Sequence, residues 1–144
     1  MSQLYILLAD DDDDCFFFQE ALDELSISAH LTTVHNGEQL MQLLTETTAL
    51  LPDVLFLDLN MPRKNGFECL LEIRSNEQLK QLPVVILSTS FDRVVADRLH
   101  QSGASCCMRK PSVHFELNRL IRQALTVVAQ KADLPVPNGT VIIG

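Results

Sequence analysis

Five continuous apolar or β-branched runs of strand length recur along this chain, at Leu4 to Ala9, Leu31 to His35, Val54 to Leu57, Val84 to Leu87 and Ser105 to Arg109. Runs this short and this uniformly apolar suit strands buried on both faces, the condition of a parallel sheet. Amphipathic stretches lie between them. Asp14 to Leu25 carries Phe17, Ala21, Leu22 and Leu25 at helical spacing, behind aspartates suited to capping a helix N-terminus. Glu38 to Leu44 follows Asn36-Gly37, and Phe67 to Arg74 follows Asn65-Gly66. Phe91 to Gln101, closed by Gly103, and Val113 to Lys131 complete the series. Strands alternating with helices through short connections predict an α/β fold with a doubly wound, five-stranded parallel sheet of flavodoxin-like order 2-1-3-4-5 and five helices on its two faces.

The 144 residues are about one domain's worth, enough to bury roughly two-thirds of the unfolded surface. Residues 3–130 are assigned to that domain and 131–144 to a C-terminal tail. The net charge of −8, the pI near 4.8 and the scatter of the eleven basic residues argue against a nucleic-acid surface, which needs clustered Lys and Arg. Proteins and cations are the expected partners. No apolar run approaches the roughly 20 residues that cross a bilayer, and no opening segment has the layout of a signal peptide. No membrane association and a cytoplasmic location are therefore expected. Cys15, Cys69, Cys106 and Cys107 sit inside apolar patterns without metal-like spacing and read as reduced core thiols.

The strands end on chemistry. Asp10 and Asp11 follow LYILLA, Asp58 follows DVLFL, Ser88 follows PVVIL and Lys110 follows SCCMR. In an open parallel sheet ligands bind at the carboxyl ends of the strands, and the order 2-1-3 brings Asp10 and Asp11 beside Asp58 at the switch point. Asp10 to Asp14 form a run of five aspartates, of which Asp12 to Asp14 are assigned to the start of the first helix. Such a run is often only a solvated acidic face. Here Asp10 and Asp11 repel, by about 4 kcal/mol per pair at 4 Å and an effective dielectric of 20, and a hard cation offsets that repulsion. Magnesium suits such a site because it takes one or two carboxylates and keeps water and phosphate oxygens in its other positions. Beside it, the Asp58 carboxylate can act as a nucleophile of the aspartyl-phosphate kind. Lys110 can supply fixed positive charge and Ser88 a hydroxyl donor to a phosphoryl group. Either residue alone would be read as a surface lysine or a helix-capping serine; the set outweighs that.

With these elements in place, LLADD, DLNMPRKNG, PVVILSTS and GASCCMRKP, the chain resembles a response-regulator receiver domain of two-component signalling, of the stand-alone type associated with phytochrome-type or other hybrid kinases. The resemblance implies that Asp58 accepts phosphate from the phosphohistidine of a sensor histidine kinase or a phosphotransfer protein. It implies Mg2+ held by Asp10, Asp11, Asp58 and the Asn60 backbone carbonyl, with Ser88 and Lys110 on the phosphoryl group. It implies further a phosphorylated form that signals to a downstream protein rather than an enzyme acting on a separate substrate, and a cis Lys110–Pro111 bond. Two positions depart from the pattern. Cys107 stands where a switching Tyr or Phe is usual, and Thr89 follows Ser88 where a smaller residue is common. Switching is therefore expected to run through Ser88 and the face of the fourth helix, fifth strand and fifth helix, without an aromatic lever.

Other readings fit less well. A haloacid-dehalogenase-type phosphatase needs an acid two positions past its nucleophile, where Asn60 stands. An FMN-binding flavodoxin needs a hydroxyl- and glycine-rich loop where five aspartates lie. A degenerate receiver acting only as a binding module would lack a site residue, and none is missing. His30, His35, His100 and His114 read as dispersed surface or edge residues. Phe16, Phe17 and Phe18 cannot all lie on one buried stripe, so one is expected to face a partner. The tail triplet Val141-Ile142-Ile143 is expected to dock, either on its own chain or, favoured because Pro135 and Pro137 stiffen the arm, as an exchanged segment in a homodimer.

Overall fold

A computed structural model of the chain describes residues 3–46, 50–132 and 141–144. In chain order the elements are β1 (Leu4–Ala9), α1 (Asp12–Glu24), β2 (Ala29–Val34), α2 (Gly37–Thr45), β3 (Val54–Asp58), α3 (Gly66–Ser75), β4 (Val84–Ser88), α4 (Arg93–Gln101), β5 (Cys106–Arg109), a 3-10 turn (His114–Glu116), α5 (Leu117–Ala132) and β6 (Ile142–Ile143). The sheet runs 2-1-3-4-5-6 and every pairing is parallel. The expected order therefore holds, with one strand more than expected.

Alternation along the central strands divides two cores. Leu7, Ala9, Leu55, Leu57, Val84 and Ile86 face one side of the sheet, where α2, α3 and α4 lay down Leu40, Leu44, Leu70, Ile73, Ala96 and Leu99. Ile6, Leu8, Val54, Phe56, Val85 and Leu87 face the other, against Phe18 and Leu22 of α1 and Leu120, Ile121 and Ala124 of α5. Both sides of β3 and β4 are buried throughout, which is why their sequences are unbroken apolar runs. All four cysteines are buried thiols, as their patterns indicate.

Four of the helices start on the same device. Asp11, Asn36, Asn65 and Asp92 each accept a hydrogen bond from the backbone N–H three residues on, and Asn65 with Glu68 completes a reciprocal capping box. These caps account for two of the differences in boundaries. With Asp11 as cap, α1 begins at Asp12 rather than Asp14; with Asp92 as cap, α4 begins at Arg93, leaving Phe91 buried in the preceding loop. Gly66 follows its Asn cap because α3 begins hard against β3: a methyl group there would overlap the Asp58 carbonyl oxygen and approach Leu59 Cα to 2.9 Å.

The tail triplet docks on the same chain. Val141 accepts from the Cys107 N–H at 2.9 Å, Ile142 and Ile143 pair with Cys107 and Met108, and Ile143 is buried. Within the single chain this is the self-contact; the exchanged arm that the prolines favour would make the same ladder with a second copy. Pro135, Pro137 and Asn138-Gly139 lie outside the described residues. Among the described residues no helix is long and apolar enough to cross a membrane.

Candidate functional site

The carboxyl edge of the sheet gathers the three polar side chains that are buried among the described residues. Asp10 just past β1, Asp58 ending β3 and Ser88 ending β4 are all buried. Lys110 comes to them from the end of β5. Its Nζ lies 3.0 Å from Asp10 Oδ2, 2.7 Å from Asp14 Oδ2 and 3.3 Å from Asp58 Oδ2, so one ammonium contacts three acidic side chains. No peptide bond among the described residues is cis, so the expected cis Lys110–Pro111 bond is corrected to trans. An extended exit from β5 already aims the side chain: the Lys110 N–H continues the ladder to the Ser88 carbonyl at 2.8 Å, and the lysine spans the remaining distance. The trans form is also the ordinary preference, by about 0.5–1 kcal/mol for an X-Pro bond.

One ammonium does not balance this much negative charge. Burial, the largest cause, together with the hydrogen bond and charge of Asp58, pushes the Asp10 carboxyl from 3.8 up to about 8, against the opposing pull of Lys110 and the Asp11 N–H. Burial alone would pull Lys110 down; the hydrogen bond to Asp14 and the charges of Asp10 and Asp58 outweigh it and hold the ammonium above its ordinary range. Lys110 is thus fixed as a cation while Asp10 retains a proton that a stronger Lewis acid would displace.

Asp10, Asp11 and Asp14 each offer an oxygen within 4.8 Å of the others, an all-carboxylate donor set of the kind hard divalent cations take. The residues fit a metal. Asp11 is exposed and spends Oδ1 on capping α1, at 2.8 Å from the Asp14 N–H. Asp58 enters the cluster through Asp10 and Lys110, and its Oδ1 accepts from the Asn60 N–H at 3.2 Å. The Ser88 hydroxyl donates to the Ser90 carbonyl at 3.0 Å, within its own loop. Cys107 lies deeper in β5, buried among the core residues on the α4 side.

Two residues of this neighbourhood escape the sequence reading. Asp14 belongs with the site carboxylates as well as with α1: one helical turn beyond Asp10, its side chain reaches back to Lys110. The i, i+4 spacing from Asp10 carried that signal, hidden within a uniform run. His35, taken as the end of a strand and unpaired, instead sits 2.9 Å from the Asp10 carbonyl and 3.1 Å from Asp12 Oδ1. His114 is likewise engaged, stacked on Phe17 at 3.8 Å between ring centroids. Of the three phenylalanines, Phe18 is buried, Phe17 is half-buried and Phe16 is 60% exposed, as the helical spacing requires.

Comparison with known proteins bears on the same edge. A family model described as the response regulator receiver domain matches residues 6–124. The response regulator Rcp1 of Synechocystis sp. is 29% identical over 139 residues, covering 92% of this chain and 93% of its own. The phosphorylated cyanobacterial phytochrome response regulator RcpA superposes with a TM-score of 0.81 at 31% identity, over 94% of this chain and all of that one. The Mn2+-bound form of Rcp1 superposes with a TM-score of 0.78 at 27% identity, over the same shares.

Proposed function

The chain belongs to the response regulator receiver domain family, and on that premise we propose that it is a phosphoacceptor response regulator whose phosphoryl group is carried by Asp58. The donor is the phosphohistidine of a sensor histidine kinase or a phosphotransfer protein, the cofactor is Mg2+, and the output is a protein–protein contact with a downstream partner. The observation that carries this reading is the convergence of Lys110 Nζ on Asp10 and Asp58, at 3.0 and 3.3 Å, from three different strands.

In the transfer, an Asp58 carboxylate oxygen forms the new bond to phosphorus while the P–N bond to the donor imidazole breaks. The imidazole nitrogen leaves with the electron pair, and the product is an acyl phosphate. Phosphoryl transfer asks mainly for positioning and charge stabilisation, which this edge is built to give. Asp58 is held at the end of a strand buried on both faces, its Oδ1 fixed by the Asn60 N–H. Lys110 exchanges contact with carboxylates for contact with a phosphoryl oxygen. Ser88 is one residue past the strand position paired with Asp58, and its hydroxyl gives up the Ser90 carbonyl to donate to the phosphoryl group. Asp10, Asp11, Asp58 and the Asn60 carbonyl are the proposed holders of Mg2+, which when bound supplies positive charge against the phosphoryl oxygens and the attacking carboxylate.

The relatives support this assignment: Rcp1 has been crystallised with Mn2+ and RcpA in phosphorylated form. A hybrid signal transduction histidine kinase of Dictyostelium discoideum also matches part of this chain. We include in the proposal a homodimer, since the β5–β6 ladder can form between two copies as well as within one. Incubation with a small phosphodonor and Mg2+ should add one phosphate by mass. Asp58→Asn should remove the shift and EDTA should suppress it. Persistence of the mass shift in Asp58→Asn would refute the assignment, and no labelling of the wild type would favour the degenerate, binding-only receiver.

A further inference from the structure

Where β1 becomes α1, the chain passes through one peptide that neither element satisfies. The last register pair of the β1–β2 ladder is Ala9 with Val34, and the Asp10 N–H extends it by donating to the Val34 carbonyl at 3.1 Å. Helical bonding begins at the Asp11 carbonyl, which accepts from Cys15 N–H at 3.0 Å. The Asp10 carbonyl falls between the two. The groups that reach it are side chains: His35 Nδ1 at 2.9 Å and the Cys15 thiol at 3.7 Å. A carbonyl oxygen only accepts, so Nδ1 bears the hydrogen. The imidazole bond is the shorter and stronger of the two, since a thiol is a weak donor. Residues 34 and 35 therefore grip Asp10 from both sides, one through its N–H and the other through its carbonyl.

We propose that His35 is a positioning residue for the divalent-cation site. Clamping the Asp10 carbonyl fixes the plane of the Asp10–Asp11 peptide, and that plane sets the directions in which both carboxylates leave the backbone. The Asp11 N–H in that same peptide donates to Asp10 Oδ1 at 2.8 Å, so the clamp also governs an oxygen of the site directly. Asp11 in turn caps α1, whose third residue is Asp14, so the one peptide orients all three clustered carboxylates. The second His35 contact, from Nε2 to the exposed Asp12 carboxylate, is an attraction only when the ring carries a second proton, since Nδ1 holds the hydrogen of the neutral imidazole, and on an exposed carboxylate it contributes little. The inference rests on the reading that the cluster binds a divalent cation.

Binding of Mn2+ alone, followed by the paramagnetic signal of the free ion, and melting of the metal-free protein together test it. His35→Ala should weaken Mn2+ binding tenfold or more, on the order seen when the partner that orients a metal ligand is removed. His35→Asn places an amide N–H where Nδ1 stood and should bind within about threefold of the wild type, whereas His35→Gln, whose amide lies one bond further out, should bind as weakly as the alanine variant. A purely structural role would lower the melting temperatures without this ordering of affinities. Unchanged affinity in His35→Ala, or Asn no better than Gln, overturns the inference while leaving the metal site intact. Failure of the wild type to bind Mn2+ overturns the metal reading and the positioning role with it.

Discussion

Asp10 is the residue on which the electrostatics of the metal-free protein turns. Its carboxyl is held at about 8 in the folded chain against an ordinary 3.8, so the folded state keeps a proton that the unfolded state releases. A raised acid contributes stability that is complete below the ordinary value and is lost as pH rises through the folded one. In EDTA the melting temperature should therefore decline between about pH 4 and pH 8, and this part of the decline should vanish in Asp10→Asn. Mg2+ competes with the same proton, so its stabilisation should be larger at pH 8 than at pH 5. Melts at several pH values with and without metal check both. Asp11 carries two duties that separate by substitution. Asp11→Ala removes a ligand and a helix cap together, and the lost cap should cost about 1 kcal/mol of metal-free stability. Asp11→Asn keeps the capping oxygen and removes only the charge, so it should weaken Mg2+ binding with little loss of stability. Equal Mg2+ affinity in Asp11→Asn and the wild type would remove Asp11 from the ligand set.

At the scale of elements, the strands were legible because burial on both faces leaves no polar residue to interrupt them: DVLFL and PVVIL can be little else. Helix starts were legible from Asn36-Gly37 and Asn65-Gly66, where an Asn cap precedes a glycine. Asp10, Asp58 and Lys110 could be grouped because strand order alone converges strand ends. Three things were not legible, for physical reasons. Asp14 could not be told from Asp12 and Asp13 by composition, since what distinguishes it is a contact with Lys110 nearly a hundred residues away. The His35 imidazole acts through a neighbouring strand. β6 is two residues long and too short to show any periodicity. The Cys107 position illustrates what an element does without its usual side chain. It is buried in the core on the α4 side, the same core that holds Ala96, Leu99 and Ala104, and phosphorylation is expected to act through Ser88 and the β4–α4 loop instead. Cys107→Ala should cost about 1 kcal/mol of stability by loss of packing while leaving the affinity difference between phosphorylated and unphosphorylated forms for a partner unchanged. A pull-down or titration in which that difference collapsed would assign the switch to Cys107.

Across the whole molecule, a single sheet separates two cores, and the site occupies the edge where both meet. Nothing in the site draws on β6, which lies at the far side of β5. Deleting Leu134 to Gly144 should therefore preserve phosphorylation of Asp58 while altering the sedimentation profile. An unchanged profile would exclude arm exchange between copies and leave β6 as a strand of its own chain. The two borders of the sheet are also unlike one another. β2 presents a half-exposed strand bearing His30, Thr32 and Thr33, whereas β5 offers the buried and uniformly apolar Cys106, Cys107 and Met108. Left bare, that second border is a template for intermolecular strand addition. A two-residue strand laid along it takes up the Cys107 N–H and is itself too brief to recruit another, so within the chain the tail covers the margin whose apolar run ends on Arg109, a side chain that itself holds the Gly144 carbonyl.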